Sequence, residues 1–227
     1  MYAIKTIFEQ PYKFLLTATG VAFCVILVFF LLGIYRGVSV GSVEYVRKSN
    51  ADLWVLQKHA TNILRSTSIL RTKHGMALEE LGGIDSVGSV VFIMASVQLP
   101  NGAKTLYFTG YDEETGQGGP PELFSGRNIA IDREVVLDHS FAAKHHINLG
   151  DSIKVKNDTL RVVGLSKGTN MFVIQYAFIS LSEAYRIVGF AGIASCYLVK
   201  LKKNADKKSM MQTIRQTLPD EIGRAHV

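Results

Sequence analysis

The sequence predicts an α+β protein, in which an N-terminal transmembrane helix is followed by a mixed α/β extracytoplasmic domain of one or two lobes. Two observations support this fold class. Residues 14–35 form an uninterrupted run without a charged side chain, between Lys13 and Arg36. The longer region that follows contains short strand-like and helix-like segments in no regular order, unlike the repeating strand–helix–strand pattern of a parallel sheet.

The apolar run has the length of a membrane-spanning helix. Its 22 residues would extend roughly 33 Å, enough to cross a hydrocarbon core about 30 Å thick. A cleaved signal peptide is the alternative, since Lys5 and Lys13 supply a basic N-terminal region. The apolar segment of a signal peptide usually has only about 7 to 15 residues, and no Ala-x-Ala cleavage site follows this run, so we predict an uncleaved anchor.

The orientation of this helix rests on the sizes of its flanks. Two lysines precede the run and three basic residues follow it closely, so the positive-inside rule favours neither direction. Apolar Ile4, Ile7 and Phe8 recur at helical spacing. We therefore expect residues 1–13 to form a cytoplasmic interfacial helix, residues 14–35 to span the membrane, and residues 36–220 to form the extracytoplasmic domain.

Hydrophobic alternation and turn residues predict the elements of the outer domain. Asn101 and Gly102 tolerate positive φ, so the segments on either side should form a hairpin. A second hairpin should turn at Asn157 and Asp158, and Asp138 should cap a short helix. Strands are predicted at 51–57, 86–99, 104–109, 134–137, 153–155, 160–165, 176–180 and 195–201. Helices are predicted at 76–81, 140–146, 182–188 and 206–218.

The residue types and their spacing argue against several classes of function. The net charge of +6 and the pI near 9.3 come without a long run of Lys or Arg, so we expect no nucleic-acid binding. No P-loop, paired Cys-x-x-Cys or His-Glu-x-x-His motif occurs. We interpret His139, His145 and His146 as surface histidines, because zinc needs three or four converging ligands. The sequence therefore predicts no cofactor, no metal and no enzymatic activity.

Three glycines at every fourth position mark a candidate helix-packing site. Gly33, Gly37 and Gly41 would lie on one side of a helix that continues past the membrane. Small residues at this spacing let a neighbouring helix approach closely. Alternatively, the glycines loosen the exit from the membrane, since each lowers helix propensity by about 1 kcal/mol. The sequence leaves both interpretations open.

Residues 221–227 look foreign to the rest of the chain. The codons ATC GGA AGA GCA CAC GTC would encode the last six residues and resemble a common sequencing-adapter stretch. We interpret this segment as an adapter-derived tail, and we expect the natural sequence to continue after about Pro219.

Several stretches together carry a family resemblance. They are the N-terminal segment that runs into the span, SNADLWVLQKHATNILRSTSIL at 49–70, Gly126-Arg127, EVVLDHSFAAKHHINLGDSIKV at 134–155, and LRVVGL at 160–165. The chain resembles the opening portion of a MacB/FtsX-type ABC transporter permease, in the branch that includes DevC. The resemblance covers nearly the whole chain to about Pro219 and rests on strand and turn patterns rather than on catalytic signatures.

The resemblance implies an architecture and a function. In such permeases a first membrane helix leads into a periplasmic core domain, and three more membrane helices follow. The chain would then be an inner-membrane permease subunit of a bacterial cell, with its N-terminus in the cytoplasm. It would couple ATP hydrolysis by a separate ATPase subunit to export or extraction. The implied partners are this ABC ATPase, a second permease copy, a periplasmic adaptor and the lipid bilayer.

A single-pass, membrane-anchored extracytoplasmic binding or sensor protein is the alternative function. It would explain the chain without truncation, although thirteen residues before the span offer little for receiving a signal inside the cell. Three hydrophobic spans encoded downstream of Pro219 would favour the permease, whereas a stop codon there would favour the anchored protein.

Overall fold

The computed structural model describes residues 11–49, 51–57, 69–100, 102–171, 174–218 and 222–226. A long helix, α1 (Pro11–Lys48), leads into a sheet-rich domain. The other helices are α2 (Thr72–Glu79), α3 (His139–His145), α4 (Leu181–Val188) and α5 (Lys207–Thr217). The strands are β1 (Leu53–Gln57), β2 (Leu70–Arg71), β3 (Ile84–Leu99), β4 (Gly102–Tyr111), β5 (Leu123–Gly126), β6 (Glu134–Asp138), β7 (Ser152–Val155), β8 (Asp158–Ser166), β9 (Asn170–Met171), β10 (Ile174–Ser180), β11 (Ile193–Ala194), β12 (Cys196–Leu201) and β13 (Ile222–His226).

Helix α1 contains the candidate membrane span. Its segment Pro11–Gly37 has a mean hydropathy of 2.7, and its apolar side chains are exposed. Pro11 suits the first turn of a helix, because a helix leaves the N–H at that position unsatisfied anyway. The helix covers the predicted span, residues 14–35, and continues without a break to Lys48. Residues 1–10, which hold most of the predicted interfacial helix, lie outside the described residues.

The main sheet is mixed and mostly antiparallel, which confirms the predicted α+β class. Its strand order is β13-β1-β12-β3-β4-β10-β6-β8-β5. Among the described strands, only β10 with β4 and β6 with β8 run parallel. Strand β7 pairs with both β3 and β8. The strands β3, β4, β10, β6, β8 and β7 therefore close on one another as a small barrel.

The barrel encloses one hydrophobic core. Val91, Val97 and Phe108 are among the buried side chains that point into it from β3 and β4. Helix α4 covers one end of the barrel and packs closely against β4. A Cβ added at Gly110 would lie 2.2 Å from the Cβ of Ala184, so glycine is what allows this approach.

The other half of the sheet has a core on each face. Leu53 and Val55 of β1 face a core covered by α2 and α5, to which Met210 and Ile214 contribute. The alternate β1 residues, including Trp54, point to the opposite face, because successive side chains of a strand alternate. That opposite face receives the end of helix α1.

Most of the longer predicted elements are present with small shifts at their ends. Both predicted hairpins form, and Asp138 caps α3 by accepting hydrogen bonds from the N–H groups of Ser140 and Phe141 at 2.9 and 3.1 Å. The helix predicted at 76–81 was placed too late, since α2 begins at Thr72. Gly75 lowers the intrinsic helix propensity there, but it packs under the ring of Tyr197, so tertiary contact decides the boundary.

Four short strands were missed by the sequence analysis. β2, β5, β9 and β11 are two to four residues long. Strands β2, β5 and β11 form with partners from distant parts of the chain, whereas β9 pairs with the nearby start of β10. The segment predicted to be an adapter-derived tail supplies β13, which pairs antiparallel with β1. Strand pairing uses backbone groups, so this position does not depend on the origin of the residues.

Candidate functional site: the helix–domain junction

Helix α1 enters the outer domain through its last turns. Residues 38–48 continue the helix beyond the candidate span, which adds about 16 Å at the helical rise. Tyr45 lies in this extension and is 1% exposed. The large apolar side chains of the span are exposed, so the helix changes from a surface that faces outward to one that is buried in the domain.

Tyr45 is held in a cluster of aromatic rings on one face of the sheet. Its ring stacks on Tyr176 with the centroids 4.9 Å apart, and it meets the edge of Trp54 at 5.9 Å. Phe178 approaches the same ring at 5.9 Å. Offset and edge-to-face aromatic pairs each add roughly 0.5–1.5 kcal/mol beyond the burial of apolar area. The cluster therefore fixes one side chain of the membrane helix to strands β1 and β10.

A hydrogen bond fixes the other end of the Tyr45 side chain. Its hydroxyl donates to the carbonyl oxygen of Gly118 at 2.6 Å. Gly118 has a φ of +81°, and a Cβ there would lie 2.4 Å from Cγ2 of Val90. Only glycine fits both the backbone conformation and this close approach. The loop between β4 and β5 is thus shaped to receive the helix.

Two further contacts connect α1 and the residues after it to the domain. The indole N–H of Trp54 donates to the hydroxyl oxygen of Ser49 at 3.2 Å. The ammonium of Lys48 lies 3.5 Å from the carboxylate of Glu122. Both charged side chains are exposed, so this ion pair contributes little, about 0–1 kcal/mol. The buried aromatic contacts dominate the attachment.

Burial keeps the phenols of this cluster neutral. Desolvation is the main reason why the pKa values of Tyr45 and Tyr176 lie well above the ordinary value. Burial likewise raises the pKa of Tyr111 to about 12 and raises the pKa of the nearby Cys196 thiol. These groups carry no charge at neutral pH. The cluster therefore acts through packing and one hydrogen bond rather than through proton transfer.

A row of aromatic rings leads from Tyr45 to a surface pocket. Tyr176 meets the edge of Tyr107 at 5.4 Å, and Tyr107 stacks on Phe92 at 5.4 Å. Tyr107 and Phe92 also line a pocket of about 270 Å³ at the edge of β3. Neighbouring rings in van der Waals contact thus connect this pocket to the end of the membrane helix.

The predicted glycine stripe lies on α1, but none of its described positions contacts the outer domain. A Cβ added at Gly33 or at Gly37 would meet nothing within 4 Å. Gly41 lies on the same helix, and its surroundings are outside the described part of the structure. Packing against another helix requires positions that are exposed in the single chain. The exposure of Gly33 and Gly37 therefore supports the proposed helix-packing role.

The histidines that were considered as metal ligands point to separate places. His139 packs on the ring of Phe124 with the centroids 3.9 Å apart, and His145 packs on Phe141 at 4.6 Å. His146 ends α3 in a left-handed conformation with a φ of +56°. Within the described residues, no group of three or more His, Cys, Asp or Glu side chains could hold a metal ion.

The sequence analysis missed Tyr45, which the structure places at the centre of the junction. One signal was available. Tyr45 lies between the polar Glu44 and Arg47, shortly before the strand that holds Trp54. An isolated aromatic residue in a polar helical segment beyond a membrane span suggests an anchor, but the partners of that anchor come from distant strands.

The comparisons with known proteins agree on one fold. Residues 14–217 match the family of MacB-like periplasmic core domains. The fold is similar to the periplasmic region of MacB from Actinobacillus actinomycetemcomitans, with 18% identity, a TM-score of 0.58, and coverage of 72% of this chain and 82% of that chain. It is also similar to the extracellular domain of the noncanonic ABC-type transporter YknZ from Gram-positive bacteria, with 12% identity, a TM-score of 0.58, and coverage of 74% of this chain and 92% of that chain. No curated protein gives a significant match to the chain.

Proposed function

The chain belongs to the family of MacB-like periplasmic core domains, and on this premise we propose that it is a permease subunit of an ABC transporter that works with a separate ATPase subunit. Its outer domain would be driven from the cytoplasmic side of the membrane to carry out export or extraction. The observation that carries this proposal is the unbroken helix α1, which joins the candidate span to the buried Tyr45.

An unbroken helix that is fixed in a packed domain can transmit displacement. Close-packed interiors resist compression, so movement at a buried side chain moves its neighbours. Tyr45 contacts β1 through Trp54 and β10 through Tyr176. A shift or rotation of the span would therefore reach strands β1 and β10 in two different parts of the sheet. Tyr45 is only 1% exposed, so a movement that pulled its side chain out of the cluster would lose buried contacts and lower the stability of the protein.

We propose that the N-terminus is cytoplasmic and that the outer domain is extracytoplasmic, at the inner membrane of a bacterial cell. Two observations support this arrangement: the apolar segment Pro11–Gly37 leads directly into the domain, and the family match is to periplasmic core domains.

The proposed partners are an ABC ATPase, a second permease copy, a periplasmic adaptor and the bilayer. Gly33 and Gly37 are exposed on α1, where a helix of the second copy or a later membrane helix could pack closely. As a non-catalytic subunit, the chain would contribute no residue to ATP hydrolysis.

The proposal can be tested with inserted residues that rotate Tyr45 about the helix axis relative to the span. One alanine inserted after Gly37 would rotate Tyr45 by about 100° relative to the span, whereas seven inserted residues would restore its direction to within about 20°. In the full-length protein with its ATPase, we expect the single insertion to abolish stimulation of ATP hydrolysis and the seven-residue insertion to retain it. The ATPase should copurify with both variants.

The same experiment can refute the proposal. Equal stimulation by both insertion variants would mean that α1 does not transmit motion. Absence of an associated ATPase, together with a stop codon directly after Pro219 in the natural gene, would favour the membrane-anchored binding or sensor protein instead.

A further inference from the structure

Strand β3 has a gap in its pairing on one side. Strand β12 pairs with it up to Val90, and β7 pairs with it from Val97. Strand β4 pairs along the opposite side throughout this stretch. Among the described strands, none pairs with residues 91–96 on the side that β12 and β7 share. The gap therefore spans six residues, or about 20 Å of extended chain.

The backbone at this gap presents hydrogen-bonding groups. The N–H of Ser195 donates to the carbonyl of Val90 at 2.7 Å, and the N–H of Phe92 donates to the hydroxyl oxygen of Ser195 at 3.0 Å. Even-numbered residues of β3 thus direct their backbone groups toward the gap, because alternate residues of a strand point to the same edge. The carbonyl of Phe92 and both backbone groups of Met94 face the gap in the same way. An incoming extended chain could pair with them.

Apolar side chains line the gap on both faces of the sheet. Phe92, Met94 and Tyr107 lie on the face that holds the Tyr45 cluster, and Val91 and Ile93 point to the barrel side. Together with Phe190 and other neighbours they form the pocket of about 270 Å³. This is smaller than the roughly 300–1,000 Å³ of typical small-molecule sites. An extended peptide would direct alternate side chains to the two faces and fill it.

Three of the lining side chains are apolar and strongly exposed. Met94 is 68% exposed, Phe190 is 53% exposed and Ile69 is 50% exposed. Natural sheets usually protect an edge of this kind with charged side chains or proline. Here the edge carries a methionine whose flexible side chain adapts to different partners.

Three cationic side chains lie near the gap, and the nearby carboxylate of Asp158 is paired with Arg186. Lys156 donates from Nζ to the carbonyl of Ile187 at 2.8 Å, one residue before the pocket-lining Val188. Arg71 is paired with the pocket-lining Ile193 across the small β2–β11 sheet, and Lys154 is paired with Gln98 at the end of the gap. No ion pair between described residues involves any of these three cations. The surroundings therefore complement an acidic ligand.

We propose that the gap at the edge of β3 is a binding site for an extended peptide segment with alternating apolar side chains and acidic ends. Its backbone pairs with residues 92–94, its apolar side chains occupy the pocket, and its carboxylates lie near Lys156 and Arg71. This site goes beyond the proposed coupling role of α1. Binding is measured without an ATPase, so either proposal can fail while the other stands.

The test uses a fluorescein-labelled hexapeptide, Glu-Val-Leu-Val-Leu-Glu, and the full chain in nanodiscs. Fluorescence anisotropy reports binding, with empty nanodiscs as the blank. We expect saturable binding. A peptide that is N-methylated at alternate backbone nitrogens keeps its side chains but loses strand pairing, and it should bind at least tenfold more weakly. Exchange of both glutamates for lysine should also weaken binding several-fold.

Paired variants of the protein locate the site. Met94→Pro removes an N–H that faces the gap without removing a bond to β4, so it should weaken binding at least tenfold, whereas Met94→Leu should bind normally. Phe190→Asp should weaken binding. Phe124→Asp is its matched control, because Phe124 is 54% exposed and lies outside the pocket. The fluorescence of Trp54 and the melting temperature verify that each variant is folded.

Three results would overturn the proposal. Equal binding of the N-methylated and parent peptides would mean adsorption to apolar surface only. Equal effects of Phe190→Asp and Phe124→Asp would place binding elsewhere, and this comparison remains decisive if Met94→Pro fails to fold. Strong protection of the Met94 amide from hydrogen exchange in the protein without peptide would mean that another part of the chain already covers the edge.

Discussion

Tyr45 is the single side chain on which the attachment of the membrane helix chiefly depends. It combines three aromatic contacts with a hydrogen bond to Gly118. The ring fills space between strands, and the hydroxyl satisfies a backbone carbonyl that the loop directs toward it. We therefore expect loss of the ring and loss of the hydroxyl to lower the free energy of unfolding by two separately measurable amounts.

We expect Tyr45→Ala to lower the free energy of unfolding by about 3–5 kcal/mol, as truncation of a buried aromatic side chain does. Tyr45→Phe should lower the free energy of unfolding by about 1–3 kcal/mol, because the buried carbonyl of Gly118 loses the hydroxyl that donates a hydrogen bond to it. Urea unfolding of the full chain in detergent micelles can be followed by the fluorescence of Trp54, the only tryptophan. Tyr35, 72% exposed on the same helix, supplies the controls Tyr35→Ala and Tyr35→Phe. Equal losses at both positions would refute the anchoring role of Tyr45.

Glu134 makes the stability of the barrel dependent on acid. A hydrogen-bonded ion pair with Arg127, assisted by the N–H of Ala130, holds the pKa of Glu134 below its ordinary value of 4.5. A lowered carboxyl pKa contributes stability at pH values above the unfolded-state pKa. That contribution is lost as the pH falls below about 4.5 and through the folded-state value.

We therefore expect the free energy of unfolding to fall more steeply below pH 4.5 in the native protein than in Glu134→Gln. Chemical denaturation at a series of pH values from 7 to 3 measures the difference. Glu122→Gln, at a side chain that is 52% exposed, should leave the slope unchanged. An unchanged slope in Glu134→Gln would show that the ion pair adds no pH-dependent stability.

At the scale of elements, helix α1 bears on the two interpretations of the glycine stripe. The predicted span ends at Tyr35, and the helix continues beyond it to Lys48 through two further glycines, Gly37 and Gly41. Their presence in a continuous helix weakens the interpretation that the glycines break it at the membrane exit. The described positions of the stripe are exposed and available for a second helix.

We expect Gly37→Leu to block close helix packing and to reduce stimulation of the ATPase by at least about fivefold in the full-length complex, which is the scale of a typical coupling energy. Gly20→Leu is the matched control, since Gly20 also has nothing within 4 Å and lies outside the stripe. Trp54 fluorescence should report the same unfolding of the outer domain in both variants. Full stimulation by Gly37→Leu would leave the stripe without a role in coupling.

At the scale of the whole molecule, the end of the membrane helix is part of the outer domain. The aromatic core on one face of the sheet is completed by Tyr45, so a division of the protein at the membrane surface would leave that core incomplete. The domain boundary predicted at residue 36 lies before this contact and includes it.

We expect a fragment of residues 38–226 to be more stable than a fragment of residues 51–226. Removal of Tyr45 should lower the free energy of unfolding by about 3 kcal/mol. For a domain of this size, this corresponds to a melting temperature that is lower by roughly 6–12 °C. Thermal unfolding monitored at Trp54 measures the difference, and Tyr45→Ala in the longer fragment should reproduce most of it. Identical melting of the two fragments would mean that the helix end merely rests on the domain.

Local signals explain what could be predicted. The apolar run, the hairpin at Asn101-Gly102 and the cap at Asp138 each depend on residues close together in the chain. The end of α1 and the strands β2, β5 and β11 could not be placed in this way, because their partners lie far away in sequence. Strand β9 pairs with the nearby start of β10, but it has only two residues and so gives no periodic pattern.

The sequence by itself determined the candidate membrane span, the α+β class and the family resemblance, since these follow from hydrophobic periodicity and turn chemistry within short segments. Only the tertiary structure decided that Tyr45 joins the membrane helix to the sheet and that β3 keeps a gap in its edge. Tyr45 and Gly118 are 73 residues apart, and the gap exists because β12 and β7 stop at different points along one strand. Such contacts depend on strand order and register, which no local pattern specifies.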